Sequence, residues 1–442
     1  MGLVNLLFAI ILGFGFGFFT INIRKIIRNI KLGQDVNRTD NPSLRWKNMA
    51  MIALGQSKMV KRPIAGVLHI IVYLGFIIIN IELIEIIIDG LFGTHRIFSG
   101  LGTLYNFLIG SFEILAFLVL VAVIIFYIRR NVINLNRFIH NDLKGWPKSD
   151  ANYILYFEIV LMSLFLLMNA ADLHLQNVVG GFDHYNKAGS FPISQFLLPI
   201  FEGLSVHTVF LLERTFWWLH IIGILIFLNY LYFSKHLHIL LAFPNTYFAN
   251  LNAPGQFDNL ESVTKEVKLM MDPTIDPFAT APVNENTAPS KFGASDVQDL
   301  NWVQLLNAYT CTECGRCTSV CPANQTGKKL SPRKIMMDTR DRLVEVGKNI
   351  DTNKGVFIPD NVTLLNNYIS VEEIWACTSC NACVEECPVN INPLSIIIDM
   401  RRYLVMEQSA APMPLNSMMS NIENNGAPWQ YNQQDRLNWK EE

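Results

Sequence analysis

Cysteine is missing from most of this chain: none precedes Cys311 and none follows Cys387. The eight that exist are confined to two short runs, so no thiol is left over for a further redox centre or a disulfide framework. Charge is sparse too. Lys, Arg, Asp and Glu make up 16% of the 442 residues and the net charge is −2, which excludes the broad positive field of a nucleic-acid binder. No G-x-x-x-x-G-K-[ST] loop, G-x-G-x-x-G loop or Ser-His-Asp arrangement is present, which excludes a nucleotide cradle and a hydrolytic centre of those kinds. The opening MGLVNL lacks the Ser or Thr at position six that myristoylation favours.

What is present is concentrated. CTECGRCTSVCP begins at Cys311 and CTSCNACVEECP at Cys377, and both follow C-x2-C-x2-C-x3-C-P. This is the bacterial-ferredoxin run for a [4Fe-4S] cluster, in which the fourth cysteine ligates the other cluster of a pair. Three closely spaced thiolates wrap one cubane, and the fourth is carried off by the following helix. The pattern assigns Cys311, Cys314, Cys317 and Cys387 to one cluster and Cys377, Cys380, Cys383 and Cys321 to the other. Zinc also uses C-x2-C pairs, but rarely four cysteines in so short a run, twice over, each closed by proline. The spacer between the runs is long and carries helical apolar periodicity in SPRKIMMDTRDRLVEVGK, as does INPLSIIIDMRRYLVMEQ after them. An α-helical ferredoxin-type domain is expected.

The apolar residues, 51% of the chain, cluster before residue 245. Five stretches have membrane length: Leu3–Ile21, Ile64–Ile88, Leu104–Ile128, Tyr153–Leu173 and Arg214–Phe233. The first lacks a small-residue cleavage site and reads as a retained helix. Ten Lys and Arg residues lie between Arg24 and Arg62 and five between Arg129 and Asp150, whereas the opposite loops hold only Arg96 and Lys187. The positive-inside rule then puts residues 22–63, 129–150 and everything after about 235 in the cytoplasm, on the reducing side that thiolate ligands need.

A histidine within a bilayer is a functional candidate by default. His69 lies near the cytoplasmic end of the second span. His220 lies in the fifth span and His238 on its expected helical extension, 18 residues on, which is five full turns and the same helix face. Bis-histidine ligation of a b haem needs one imidazole from each of two facing helices at equal depth, and His69 with His238 meets that condition. His236 points elsewhere on the same wheel. His220 has Ile79 and Asn80 at the level where a partner would sit on the second span, so His174, at the outer end of the fourth, is the candidate partner for a second haem. His95, His140, His184 and His207 read as loop histidines. Glu82, Glu85 and Asp89, at the end of the second span, are either proton relays or a helix end facing water.

With these residues in view, ERTFWWLHIIGILIFLNYLYFSKHLHILLAFP (residues 213–244) resembles the last helix of the nitrate reductase gamma-subunit family of cytochromes b. His220 and His238 match its two haem ligands there and His69 matches one on the second helix; Ile79 departs from the other. CTECGRCTSVCPANQTGKKLSPRKI, EEIWACTSCNACVEECPV and DMRRYLV resemble the iron–sulfur subunits of heterodisulfide reductase and related membrane-bound Fe–S oxidoreductases. The resemblance implies a quinone pocket near the cytoplasmic haem. It also implies a cytoplasmic partner bearing a cysteine-rich (CCG-type) site, since members with disulfide-type chemistry have one and no cysteine remains here to build it.

The sequence therefore divides into a transmembrane cytochrome b-like domain (1–245), a Pro-, Ala- and Asn-rich linker (246–300), a two-cluster ferredoxin domain (301–406) and a polar tail (407–442) that is either disordered or a docking arm with Trp429 and Trp439. The expected fold is an all-α membrane domain of about five helices plus an α-helical ferredoxin-type domain with two [4Fe-4S] clusters. The expected function is a membrane electron-transfer subunit between the quinone pool and a cytoplasmic redox partner, in the order quinone, haem at His69/His238, first cluster, second cluster, partner, in either direction. The competing reading is a redox-sensing or structural scaffold whose clusters gate a partner without turnover.

Overall fold

The computed structural model describes residues 2–178, 185, 187–272, 274 and 291–441. His184 lies outside the described residues. Five helices are long and apolar enough to cross a membrane: α1 (Leu3–Ile30), α2 (Pro63–Phe92), α3 (Thr103–Asn131), α4 (Trp146–Gln176) and α5 (Val206–Tyr230), the last continued by a short 3-10 turn to Phe233. Each contains the stretch read from sequence and runs past it. The 28 residues of α1 make about 42 Å of helix. Its polar last turns leave the apolar slab and reach the ferredoxin domain, which is why hydropathy alone cuts the helix short. Proline in the first turn starts α2 and α4, where its missing N–H costs nothing.

The straight extension of the fifth helix expected from the 18-residue spacing is not what forms. The chain leaves α-helical geometry after Tyr230, and Ser234 is extended (φ −113°, ψ 146°) before α6 (His238–Tyr247) begins. Buried Asp150 of α4 holds the break: it accepts from Tyr230 Oη at 2.6 Å and from the Lys235 backbone N–H at 3.1 Å. His220 and His238 are thus on different helices, and the five-turn argument for their shared face does not hold.

The ferredoxin domain is built on α7 (Trp302–Thr310), α8 (Pro332–Thr352) and α9 (Pro393–Arg402), with single-turn helices between the cysteines and no strand among the described residues. Its core begins before the sequence-based boundary: Ala294, Val297 and Leu300 are fully buried in it, and Ala294 N–H donates to Asp399 O at 2.9 Å. The stretch read as linker also contains a short helix, Glu261–Met271. The tail, read as disordered or a docking arm, holds α10 (Met413–Asn425), with Trp429 and Trp439 exposed.

The domain sits on the end of the bundle that carries the 22–63 and 129–150 loops. One apolar core runs through both, joining Ile26, Leu161, Phe227 and Leu237 to Leu305, Ile335 and Ile397. Polar contacts key the two together. Asn29 Nδ2 donates to Tyr309 Oη at 2.8 Å, Asn245 Nδ2 to Val389 O at 2.7 Å, and Gln34 exchanges backbone bonds with Leu300 and Trp302. Beside that bridge Gly33 allows the close approach, because a Cβ there would lie 2.6 Å from the Trp302 nitrogen.

Candidate redox site

Each cysteine loop follows a helix C-terminus: Cys311 ends α7, and Cys377 ends the turn Val371–Ala376. The first loop makes its tight bend with Glu313 (φ 55°) and Gly315 (φ 72°). Gly315 has little latitude, since a Cβ there would meet the Arg333 guanidinium at 2.5 Å.

The eight thiols fall into two neighbourhoods. Cys311, Cys314, Cys317 and Cys387 line one pocket together, closed by Pro388, Val389 and Ile391, with Cys383 at its edge. Cys377 and Cys383 have Cys321 and Cys380 as electrostatic neighbours. The pocket thus brings the fourth cysteine of the second run beside the first three of the first, with Cys383 also on its lining. Among the described residues no three His, Cys, Asp or Glu side chains converge on a single-ion site, as zinc would require. Burial pushes the Cys311 and Cys383 thiols up to about 12 and that of Cys387 to about 11. Thiols so disposed stay protonated until metal takes the proton's place, so filling the site releases protons. Cys311 and Cys387 of the first set and Cys321 and Cys383 of the second are buried, and Cys380 of the second is exposed.

The membrane-side flank of the first set is a buried ionic frame that sequence reading missed. Arg333, 1% exposed, grips Asp142 of the 129–150 loop through Nε (3.1 Å to Oδ2) and Nη2, and donates Nη1 to Arg137 O at 2.9 Å. Arg316 donates to Lys58 O and Met59 O, both at 3.2 Å. Glu313, between two cysteines of the first loop, pairs with Lys235 and with Arg340 at 2.8 Å. Burial alone would raise the Glu313 carboxyl, but Arg340 and Lys235 outweigh it and hold it below the ordinary range. The only sequence hint was placement: charged residues inside or just beyond the cysteine runs.

His69 and His238 face each other with ring centroids 6.4 Å apart. Two imidazoles on one iron, each nitrogen about 2 Å from the metal, would place ring centres about 6 Å apart, so the pair fits an axial-ligand role. His238 Nδ1 lies 3.1 Å from Lys235 O, which fixes the tautomer and leaves Nε2 to ligate. His69 Nδ1 is buried with no hydrogen-bond partner, a cost of about 1–3 kcal/mol unless another group meets it. Burial lowers His238 and takes His236 down to about 3, keeping both imidazoles neutral. His236 lies 5.4 Å from the His238 ring, edge to face.

His220 is not brought to His174. Its Nδ1 lies 3.1 Å from Leu161 O, and its nearest ring partner is Phe165 at 5.8 Å. His174 stands nine residues beyond Phe165 on the same helix, about 14 Å further along the axis, beside Phe201. The paired second-haem site expected from these two histidines does not form. Of the remaining histidines, His95 lies near Asp172 and His140 near Asp142, both structural acids.

Comparison with known proteins agrees with the cysteine geometry. Residues 310–391 match the 4Fe-4S dicluster domain. The chain is 29% identical to a probable iron-sulfur-binding oxidoreductase FadF of Bacillus subtilis, over 99% of this chain and 61% of that protein. It is 26% identical to an EtfAB:quinone oxidoreductase of Syntrophomonas wolfei, over 92% of this chain and 55% of that protein. One component of the dihydromethanophenazine:CoB–CoM heterodisulfide reductase of Methanosarcina mazei is 28% identical over 33% of this chain and 35% of its own length. The chain thus spans 61% and 55% of the two relatives that it matches almost end to end. No solved structure matches it. With its dicluster domain seated on five helices long and apolar enough to cross a membrane, the chain is similar to these iron–sulfur oxidoreductases.

Proposed function

We propose that this chain carries electrons between membrane quinone and a cytoplasmic redox partner, through a b haem held by His69 and His238 and two [4Fe-4S] clusters with crossed ligation. The observation that carries the reading is the facing pair of imidazoles, 6.4 Å apart, on the membrane flank of the first cysteine set. When bound, haem and cubanes supply one-electron chemistry; the protein supplies ligation, spacing and a low dielectric. Lys235 ties the two ends together, accepting from His238 through its carbonyl and pairing with Glu313 of the first cysteine loop through its ammonium. Arg316 and Arg333 hold that loop against the 22–63 and 129–150 loops, and Arg340 braces it from α8. The second set, with exposed Cys380, then faces outward as the exchange point for a partner.

The lysine- and arginine-rich loops beneath the ferredoxin domain support a cytoplasmic side for it. The name of the Syntrophomonas relative supports quinone as the membrane-side substrate. With all eight cysteines committed, two-electron thiol chemistry falls to a cysteine-rich partner, and the exposed Trp429 and Trp439 of the tail suit a docking arm. The pyridine haemochrome content of His69→Ala and His238→Ala tests the reading: both lose the haem, and His220→Ala keeps it. Unchanged haem in the first two variants contradicts it.

A further inference from the structure

A cavity in the membrane half lies far from the cysteines. It opens between the start of α1, the end of α2 and the outer ends of α4 and α5, with about 910 Å³ of empty space, part of it open to solvent. Glu82 stands 13 residues beyond His69 on α2, about 20 Å along the axis. One wall is aromatic: Phe8, Trp217 and Trp218 meet with centroids 5.2–5.8 Å apart. The other wall is a buried charge network whose members are almost all engaged. Arg96 bonds Asp172, Tyr105 Oη at 3.0 Å and Asn169 Oδ1 at 2.9 Å. Glu85 accepts from Phe98 N–H at 2.8 Å and Tyr105 Oη at 2.9 Å. Glu213 is taken by Arg214 and Tyr185.

Glu82 is the exception. It is 3% exposed, its Oε1 lies 3.8 Å from Arg96, and its Oε2 is buried with no hydrogen-bond partner among the described residues. A buried carboxylate oxygen left alone is costly, so the site is complete only with a donor in the cavity. Arg96 is shared between Asp172 and Glu82, the surrounding carboxylates disfavour an anion, and the aromatic wall favours a ring over a bare cation. A neutral hydroxyl on a flat ring satisfies both walls. We propose that this outer cavity binds the quinol headgroup, with Glu82 Oε2 accepting from a ring hydroxyl and Trp218 and Phe8 against its face.

The proposal rests on the quinone reading above and relocates the pocket that the sequence resemblance put beside His69 and His238. It also assigns the proton. Oxidation of one quinol to quinone gives up two electrons and two protons. Glu82 takes the first proton as the bound O–H breaks, and the second leaves to solvent at the cavity's open side. The electrons leave one at a time toward the one-electron centres that His69 with His238, and then the cysteines, would hold. Quinone reduction is the same exchange reversed, since a protonated Glu82 donates to a quinone carbonyl. Electrons and protons thus part toward opposite ends of the molecule.

The test uses the cofactor-loaded chain in lipid nanodiscs and a photoreactive azidonaphthoquinone, with labelled residues found by mass spectrometry. The expected label falls on peptides containing Phe8 and Trp217–Trp218. Glu82→Leu, which fills the space without an acceptor, weakens binding of a naphthoquinol by about tenfold or more, the worth of a hydrogen bond to a charged group. Trp218→Leu weakens it as well, while iron content stays at the wild-type level in both. Label confined to residues flanking His69 and His238, with wild-type affinity in both variants, overturns the location but leaves quinone as substrate. No specific label anywhere overturns the quinone reading itself, and this proposal with it.

Discussion

Replacing Arg333 by methionine keeps the aliphatic stem and removes the guanidinium that joins the two halves of the molecule. The side chain is 1% exposed and its partner Asp142 5%, so this is a buried bidentate pair rather than a surface one. Breaking such a pair by losing one member costs about 3–5 kcal/mol. The lower figure applies here, because Asp142 retains Ser331 Oγ and His140 Nδ1, each at 2.9 Å. About 3 kcal/mol is roughly a hundredfold shift from docked toward undocked ferredoxin domain. Arg333 also backs Gly315, so the first cluster loop loosens with it. Chelator-driven iron release in mild urea reads this out: Arg333→Met should lose iron on the order of a hundred times faster than wild type, beginning with the cluster of Cys311, Cys314 and Cys317. Asp142→Asn alone should be at least as damaging, because it strands a buried cation on Arg137 O. The double variant should cost less than the sum of the singles. Wild-type release from Arg333→Met, or strict additivity in the double variant, would refute the reasoning.

Cys387→Ser should cost the cluster of the Cys311 loop and spare that of the Cys377 loop, leaving about four of about eight irons per chain; EPR of the reduced protein identifies the survivor. The pH dependence of docking follows from Asp142. Burial alone would raise its carboxyl, but Arg333 and Ser331 hold it below the ordinary value of 3.8. A depressed folded-state value means that the stabilisation is fully present above about pH 4 and is lost as pH falls through the lower folded value. The difference in unfolding midpoint between wild type and Asp142→Asn, followed by tryptophan fluorescence, should be flat from neutral pH down to about 5 and close below about 4.

The cysteine sets and the five spans were legible because each depends on local pattern: ligand spacing in one case, an unbroken apolar run in the other. The break after Tyr230 was not. LNYLYFSKHLH carries neither Gly nor Pro, and only Asp150, from another helix, ends α5 there. His69 and His238 still come within 6.4 Å of each other, although the wheel drawn through His220 does not hold. The Arg333–Asp142 clamp joins residues 191 positions apart, which no window can register. Likewise Glu82 read equally well as a relay or a helix end until Arg96, Asp172 and the tryptophans closed round it.

The measurement that bears most directly on the account is reoxidation of the chemically reduced, cofactor-loaded chain by a lipid-dissolved naphthoquinone, followed by rapid-freeze EPR of the clusters in wild type and His69→Ala. The account predicts rapid loss of the reduced-cluster signal in wild type and its persistence in the variant, at equal iron content. Equal rates in the two proteins, or clusters that exchange electrons with soluble reagents but never with quinone, would contradict it.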